Sequence, residues 1–510
     1  MSVGDIISLP AQRGAFPRSL ERLPEVCSAS WFAEIAAQQV INGDRSPAIL
    51  MEALQGHYGH MFQQWKREPG WIKNRRVPST VIHEIRRQHA LGGSSPELVI
   101  PHSGHGGVHF CIPSVGLVAD AERVCRFDRL REIRQLSTLP TPVAEHVAGG
   151  SVGEKPARWR FAHTRAEHSR LVAAVMTLLA HNLGLHPLGQ ATVAGIGHDT
   201  LTAAGGDMTH KLDREAFDED KHFATFARSP AFGEFARHWG LSVELITETI
   251  AGRGLLGDIL DFADKLAYVG LDVHMYLQAI SKNGPLWYPK GFLEIEGLVR
   301  EHPDVCRVWE TAEIREGQLV VGDFESLVAF LQLRMLLFRW LYYNPMCLPW
   351  ENAIAELVLR PMYESGFVTH DELLQHDDRW LSRQMDVFLE RPARSGGEGF
   401  LESLEPHAVG ISFETYPTVE IARARARQFN DDLSVSVVVD EMPPMTKTGA
   451  DRFRVWDQGR VKTFRRAAPK HASALDALLH GDRSVVVGIL DLRALEIPER
   501  VWPKLNKAHF

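Results

Sequence analysis

Cysteine is scarce in this sequence, and the few cysteines follow no recognised spacing. Five cysteines occur among 510 residues, at positions 27, 111, 125, 306 and 347, an odd number without a C-x-x-C pair. We therefore expect neither a disulfide framework nor a structural zinc cluster. A reducing cytoplasm is the expected location, because free thiols persist there.

The sequence also lacks a long uninterrupted apolar run. Its most apolar stretch, SLVAFLQLRMLLFRWLYY, is broken by Arg334 and Arg339. The first residues, MSVGDIISLPAQRG, do not show the basic and then apolar pattern of a secretion signal. No membrane span is expected, since a spanning helix needs about 20 predominantly apolar residues.

Basic residues are not in surplus. The 56 Lys and Arg residues against 64 Asp and Glu residues give a net charge of -8. A broad non-specific surface for nucleic acid is therefore not expected, although a local basic pocket is compatible with this balance. The 45% hydrophobic and 24% charged residues are typical of a soluble globular protein and exclude disordered and fibrous classes.

The chain is long enough for one large domain with appendages or for two to three domains. Helical patterns occur in the first hundred residues and again from about residue 121 to 390, and β-branched residues around glycines predict a short strand or hairpin between residues 97 and 117. A Pro- and Gly-rich stretch at 139–158 predicts a loop, and ARSGGEG near Arg394 predicts a linker. Strand-like and helix-like segments alternate beyond it, and no repeat of fixed period is present.

Three segments that read as helices each direct a side chain of metal-ligand type towards the interior. In the first, residues 165–183, apolar residues follow His168 by 3, 4, 7 and 11 positions, which places them on one helical face with it. His168 is thus expected to point into the core. Taken alone, a hydrogen-bonded core histidine explains it better than a metal ligand does.

The second and third segments carry the other candidates. PLGQATVAGIGHDT is rich in small residues, which allow close helix packing, and it ends in His198 and Asp199, although Asp199 is equally readable as a turn residue. In LLGDILDFADKLAYVGLD, Asp264 lies on an apolar stripe, where an unpaired carboxylate is costly; a metal, Lys265 or another base would satisfy it. Neutral imidazoles and carboxylates suit a divalent transition metal, so a metal-dependent phosphohydrolase is the leading hypothesis.

Six motifs in order over residues 97–345 resemble the HD superfamily of metal-dependent phosphohydrolases, and within it the deoxynucleoside triphosphate triphosphohydrolases. HSGHGGVHF resembles the opening turn of the family, FDRLREIRQL its RLRxIxQL helix, and FAHTRAEHS its H-x-R-x-E-H-S signature. GHDT contains the His-Asp pair, DKLAYVGLD resembles D-K-x-D-Y-x-x-R-D, and LRMLLFRWLYYNP resembles the late R-x-x-L…VY-x-H helix.

The resemblance implies a mainly α fold and a set of roles. The expected parts are a helical N-terminal extension (1–96), an HD-type helical core (97–393) and a small α+β C-terminal region (394–510). The implied metal ligands are His168, His198, Asp199 and Asp264. The implied substrate contacts are Gln135 and Asp272 at the sugar, Tyr268 packed on it, and Arg165, Lys265 and Arg334 at the phosphates.

Each implied contact also has a structural alternative. Gln135 could be an exposed helix residue, and Arg165 could form a surface salt bridge. Lys265, Tyr268, Asp272 and Arg334 could be residues of an ordinary helix, with the long basic side chains reaching solvent and the tyrosine in the core.

The sequence departs from the family after the His-Asp pair. Members commonly continue as HDIGHxPFxH, whereas this chain reads HDTLTAAGGDMTH, with Thr202 and Asp207 where the histidines would stand. Asp207 is the candidate proton donor, and His210 and His222 are alternatives, if a neighbour tunes the pKa near neutrality. Asp207 beside two glycines is also readable as a turn residue. The third segment departs as well, with Ala267 and Leu271 in place of the second Asp and the Arg.

The implied activity is hydrolysis of deoxynucleoside triphosphates to a deoxynucleoside and inorganic triphosphate, with manganese, iron, magnesium or zinc as cofactor. The resemblance also implies a homo-oligomer and a nucleotide activator at a separate site. Two alternatives stay open. One is hydrolysis of another phosphate ester, such as a nucleoside monophosphate or cyclic dinucleotide, and the other is a non-catalytic module that senses nucleotides. A nuclease is less favoured, because a basic surplus is missing.

Overall fold

The structure is a computed structural model. It describes residues 98–99, 109–110, 115–135, 164–185, 188–282, 290–302, 305–342, 348–391, 399–403, 411–429, 431–442, 449–480 and 484–505. The predicted N-terminal extension up to residue 96, the predicted loop at 139–158 and most of the predicted linker lie outside these residues.

The fold is mainly α, as predicted. The helices of the first half are α1 (Val115–Val124), α2 (Phe127–Leu130), α3 (Arg165–Asn182), α4 (Leu188–Gly197), α5 (Asp207–His210), α6 (Glu219–Ala227), α7 (Pro230–His238), α8 (Val243–Ile250), α9 (Gly254–Lys282) and α10 (Lys290–Glu301). Those of the second half are α11 (Phe324–Leu337), α12 (Leu348–Ile354), α13 (Arg360–Glu364), α14 (His370–Gln375), α15 (Asp378–Phe388), α16 (Phe400–Ser403), α17 (Val419–Arg427), α18 (Phe464–Ala467), α19 (Pro469–His480) and α20 (Trp502–Leu505). Short 3₁₀ turns (Val305–Thr311, Glu499–Val501) and π-helical turns (Phe338–Tyr342, Ala355–Leu359) extend some of them.

The strands are short and form three small sheets. They are β1 (Leu98–Val99), β2 (His109–Phe110), β3 (Ala312–Arg315), β4 (Gln318–Val321), β5 (Ile411–Tyr416), β6 (Val435–Met442), β7 (Arg454–Asp457), β8 (Arg460–Thr463) and β9 (Ser484–Asp491). β1 and β2 form the predicted hairpin, β3-β4-β7-β8 form a mixed sheet, and β5-β9-β6 form an antiparallel sheet on which α17 packs. The strands and helices of the C-terminal region confirm its α+β character.

Two hydrophobic cores organise the described chain. The main core combines α3, α9 and α11 with residues of the C-terminal segment, such as Phe453 and Leu475. β4 and β7 are paired in parallel through Val321 and Val455, so the mixed sheet joins the same two parts of the chain. A second core packs the region around α12–α15 against β6, β9 and α20.

The three helical segments singled out in the sequence are present as α3, α4 and α9. α4 approaches α3 very closely: a Cβ atom placed on Gly195 would lie 2.4 Å from the Cα of Ala173. The small residues of α4 therefore do allow close packing. FDRLREIRQL is helical only over α2; beyond it the chain turns, and Arg134 forms an isolated β-bridge with Thr164 just before α3.

Among the described helices, none combines the length and apolarity that a membrane crossing requires.

Candidate metal centre

α3 presents His168 to the interior on its first turns. The side chain is 1% exposed, in agreement with the apolar face predicted for this helix. Its Nε2 atom lies 3.0 Å from Oδ1 of Asp264 on α9. Nδ1 is buried and has no hydrogen-bond partner among the described residues. The ring is therefore not satisfied as an ordinary core histidine would be.

His198 directly follows the end of α4, and its ring lies next to that of His168. Its Nδ1 atom is 2.8 Å from the carbonyl oxygen of Gly195. A carbonyl oxygen only accepts, so Nδ1 carries the proton and Nε2 is left with its lone pair in the neutral ring. That Nε2 atom lies 3.4 Å from Nε2 of His168.

His168, His198 and Asp264 fit a metal ion. Their ligand atoms all lie within 4.8 Å of one another. Two ligands bound at about 2.1 Å to one ion at the tetrahedral angle are roughly 3.4 Å apart, close to the 3.4 Å and 3.0 Å separations found here. Burial opposes ionisation of Asp264, but a hydrogen bond from His168 and the two imidazoles hold its pKa below the usual range.

Asp199, the fourth predicted ligand, lies beside this group rather than within it. Its Oδ1 atom is 3.5 Å from Nε2 of His198, and its Oδ2 atom is 3.8 Å from Nε2 of His168 and 3.6 Å from Nη1 of Arg165. Although burial acts to raise the pKa of Asp199, His198 and Arg165 keep it well below its ordinary value. The carboxylate is therefore ionised and within reach of the same centre.

Arg165 joins the centre to Asp207. The guanidinium is buried, and its Nη2 atom is 3.0 Å from Oδ1 of Asp207, whose side chain is 63% exposed. Asp207 begins α5 directly after Gly205 and Gly206, both with positive φ. Asp207 thus occupies a turn, as its neighbours suggest, and also faces the buried guanidinium of Arg165.

His222, one of the two alternative proton donors, is exposed. Its Nε2 atom is 3.1 Å from the carbonyl oxygen of Glu215.

Sequence reasoning missed Glu219 on the first turn of α6. Burial and the nearby negative charge of Asp199 raise the pKa of its carboxyl group well above the ordinary value. The segment DEDK reads as a normal acidic helix start, capped by Asp218. No local signal in the sequence distinguishes Glu219 from such a residue.

Gln135 lies at the end of the chain segment that runs towards α3. Its side chain is buried, and Oε1 has no hydrogen-bond partner in the described part of the chain. The predicted alternative, an exposed helix residue, is therefore wrong.

The buried guanidinium of Arg129 supports the turn that follows Asp199, since it donates to the carbonyl oxygens of Thr200 and Thr202 at 2.8 and 2.7 Å.

Lys265 is 5% exposed and is paired inside α9. Its Nζ atom donates to the carbonyl oxygen of Asp261 at 3.1 Å and forms an ion pair with the Asp261 carboxylate. Burial lowers the pKa of Lys265. The family resemblance assigns the Lys265 amine to a phosphate of the substrate, but in this structure the amine is paired with Asp261.

The remaining predicted contacts, Tyr268, Asp272 and Arg334, belong to two linked pairs that join α9 to α11 and to the π-helical turn after it. Arg334, which is buried, donates from Nε to the hydroxyl of Tyr268, and Tyr342 donates to Oδ2 of Asp272. The rings of Tyr268 and Tyr342 are 6.1 Å apart, and burial raises the pKa of Tyr268 to about 12. Tyr342 was also missed, because its partner lies 70 residues away in sequence.

No protein-family model matches the sequence, and no curated protein matches it either. Solved structures do share the fold. A hypothetical protein from Aquifex aeolicus is 14% identical with a TM-score of 0.51, over 76% of this chain and 95% of its own. A phosphohydrolase from Bacteroides thetaiotaomicron is 14% identical with a TM-score of 0.50, over 78% of this chain and 99% of its own. The chain therefore shares its fold with these two proteins.

Proposed function

We propose that this protein is a metal-dependent phosphohydrolase that cleaves deoxynucleoside triphosphates into a deoxynucleoside and inorganic triphosphate. The observation that carries the proposal is the convergence of His168, His198 and Asp264 within 4.8 Å, next to the buried guanidinium of Arg165. The fold shared with a phosphohydrolase supports the same class of reaction.

His168, His198 and Asp264 would hold the metal, with Asp199 as the further ligand. A divalent cation bound there would lower the pKa of a water molecule and polarise a phosphoryl oxygen. Manganese, iron, magnesium and zinc are the candidates, and the two imidazoles favour a transition metal among them.

The other residues would bind and orient the nucleotide. Arg165, Lys265 and Arg334 offer three buried cations that neutralise the triphosphate. Gln135 would hydrogen-bond the sugar through its unpartnered oxygen, and Tyr268 and Asp272 would line the same sugar. Asp207 would give a proton to the leaving group: its side chain is exposed and can take up that proton from solvent once the triphosphate displaces it from the ion pair with Arg165.

Product analysis tests the proposal. The protein is incubated with each deoxynucleoside triphosphate and with manganese, iron, magnesium or zinc, and the products are separated by chromatography. We expect a deoxynucleoside and inorganic triphosphate. Mono- or diphosphate products would instead establish cleavage of a different phosphate bond. Pairs of nucleotides reveal an activator, and light scattering with and without nucleotide tests the proposed homo-oligomer.

Two variants and one control make the assay specific. His198→Ala and Asp199→Asn should abolish turnover, because each removes a proposed ligand. His238→Ala is the matched control, since this exposed histidine ends α7 and packs edge-on against Trp239, without a proposed role in the centre.

The segment after Asp199 favours a second candidate, a nucleotide-sensing module without turnover. The ten residues 200–209 contain no histidine. If the parent protein binds a deoxynucleotide but never turns it over, with every metal tested, sensing is the better account.

A further inference from the structure

The C-terminal segment from Gly449 to Val455 lies against the two helices that carry the proposed phosphate-binding cations. The ring of Phe453 is 5.5 Å from that of Phe262 on α9 and 6.0 Å from that of Phe330 on α11. The backbone of Gly449 packs against Arg334, since a Cβ atom there would lie 3.1 Å from Nη1. This segment therefore forms one wall beside the proposed site.

Two ion pairs fasten the segment to α9. Nη1 of Arg452 is 2.8 Å from Oδ1 of Asp261, and Nη1 of Arg454 is 2.7 Å from Oδ2 of Asp258. Asp258 and Asp261 are three residues apart and so lie on the same side of the helix. The two pairs are alike in chemistry and differ in what else each carboxylate contacts.

Asp261 is shared between two cations. Its Oδ1 atom pairs with Arg452, which is 71% exposed, and also with Nζ of the buried Lys265 one turn further along α9. Asp258 has no corresponding lysine partner among the described residues. A phosphate that binds Lys265 must therefore compete with Asp261, and Arg452 competes with Lys265 for the same oxygen.

We propose that Asp261 and Arg452 are positioning residues for Lys265 and that together they set its affinity for a polyphosphate. Asp261 holds the amine within the helix when no phosphate is bound. Arg452 weakens the ion pair between Asp261 and Lys265. It also neutralises the Asp261 carboxylate when the Lys265 amine leaves that pair to bind the phosphate. The inference rests on the proposed function in one respect, since it takes Lys265 as a phosphate ligand.

The arrangement predicts effects of opposite sign. Loss of the Asp261 carboxylate releases Lys265 and strengthens polyphosphate binding. Loss of the Arg452 cation strengthens the ion pair between Asp261 and Lys265, because Arg452 no longer competes for the carboxylate. Polyphosphate binding is then weaker. A general field effect of the two charges would give the same signs, so the single variants do not decide the matter. The double variant does, because Arg452 can act through Asp261 only while the carboxylate is present.

The experiment is a calorimetric titration of inorganic triphosphate into the full-length, manganese-loaded protein. The variants are Asp261→Asn, Arg452→Gln, the double variant, Lys265→Gln and Arg454→Gln. We expect binding about threefold to fivefold tighter for Asp261→Asn and weaker by a similar factor for Arg452→Gln, the range typical of exposed ion pairs. In the Asp261→Asn background, Arg452→Gln should have no effect, and Lys265→Gln should show the weakest binding.

Arg454→Gln is the matched control, because it removes the same charge from the neighbouring ion pair. An equal effect of Arg452→Gln and Arg454→Gln, or additive effects in the double variant, would overturn the inference. If the parent hydrolyses deoxynucleotides while all variants bind triphosphate equally, only this inference fails. If the metal-loaded parent does not bind triphosphate at all, the proposed function fails with it. Thermal unfolding of each variant confirms that it is folded.

Discussion

Nδ1 of His198 is 2.8 Å from the carbonyl oxygen of Gly195, three residues earlier, and donates a hydrogen bond to it. The same glycine is where α4 comes closest to Ala173 of α3. Gly195 thus fixes the tautomer of one imidazole and the spacing between the two helices that present His198 and His168. In known metal sites, a hydrogen bond from the second ring nitrogen of a histidine to a backbone carbonyl orients the ligand in this way.

Gly195→Ala should destabilise the protein and disturb the centre. The new Cβ atom would meet the backbone of Ala173 at 2.4 Å, so α3 and α4 must separate. We expect a loss of about 1–3 kcal/mol in the free energy of unfolding, typical of an overpacked core, measured by urea denaturation. Gly233→Ala on α7 is the control, since a Cβ atom there meets nothing within 4 Å. Equal effects of the two substitutions would contradict this packing argument.

A divalent metal should stabilise the parent protein and not the ligand variants. Binding at 100 times the dissociation constant adds about 2.7 kcal/mol to the free energy of unfolding. Thermal unfolding with and without manganese should show this increase in the parent and its loss in His198→Ala and Asp264→Asn. Chelation should reverse the increase. If manganese stabilises all three proteins alike, the metal binds elsewhere.

Asp378 should be needed to align the two segments around the centre. Its buried carboxylate accepts hydrogen bonds from the backbone N–H of Gly205 at 2.8 Å and of Arg134 at 3.0 Å. Gly205 is two residues before Asp207, and Arg134 directly precedes Gln135. An asparagine offers one acceptor and a misplaced donor, at a cost of about 1–3 kcal/mol. In Asp378→Asn, we expect faster hydrogen exchange at both amides and a raised KM for the nucleotide.

The control for Asp378 is the adjacent Asp377→Ala. This substitution removes the cap of α15, where Oδ1 of Asp377 accepts from the N–H of Trp380 at 2.9 Å, and costs about 1 kcal/mol. It should lower stability without exposing the amides of Gly205 and Arg134. The positioning role is wrong if both variants raise KM to the same extent.

Gln135→Leu should separate function from stability. The buried Oε1 atom has no partner within the described ranges, so its removal should leave the melting temperature unchanged or slightly raised. KM for the nucleotide should rise about tenfold, equivalent to about 1.4 kcal/mol of lost binding. A destabilised variant with an unchanged KM would show that Gln135 is a structural residue.

The stability of the region around β6 should depend on pH through Asp440. Burial raises the pKa of Asp440 to about 6, against the opposing effect of Lys211. Between the unfolded value of about 3.9 and 6, the folded state binds more protons, so this group's contribution to stability falls as the pH rises. Asp440→Asn should therefore gain about 1–2 kcal/mol relative to the parent on going from pH 4 to pH 7. A difference that stays constant with pH would contradict this assignment.

Local patterns predicted the helices well. The 3.6-residue period around His168 corresponds to α3, and the stripe around Asp264 corresponds to α9. The RLRxIxQL-like segment was less successful, because after α2 the backbone turns to pair Arg134 with Thr164 rather than continuing as a helix. Helical periodicity is a property of neighbouring residues, whereas this bridge depends on a residue far along the chain.

The sequence by itself determined which faces of α3, α4 and α9 carry the imidazoles and the carboxylate, because side-chain direction on a helix follows from residue spacing. Only the tertiary structure decided the distances between them and the partners around them. Asp199 lies against Arg165, Glu219 joins it from α6, and Arg452 reaches Asp261 across 191 residues of chain. These contacts depend on how the helices pack, and packing is set by the whole core rather than by any local pattern.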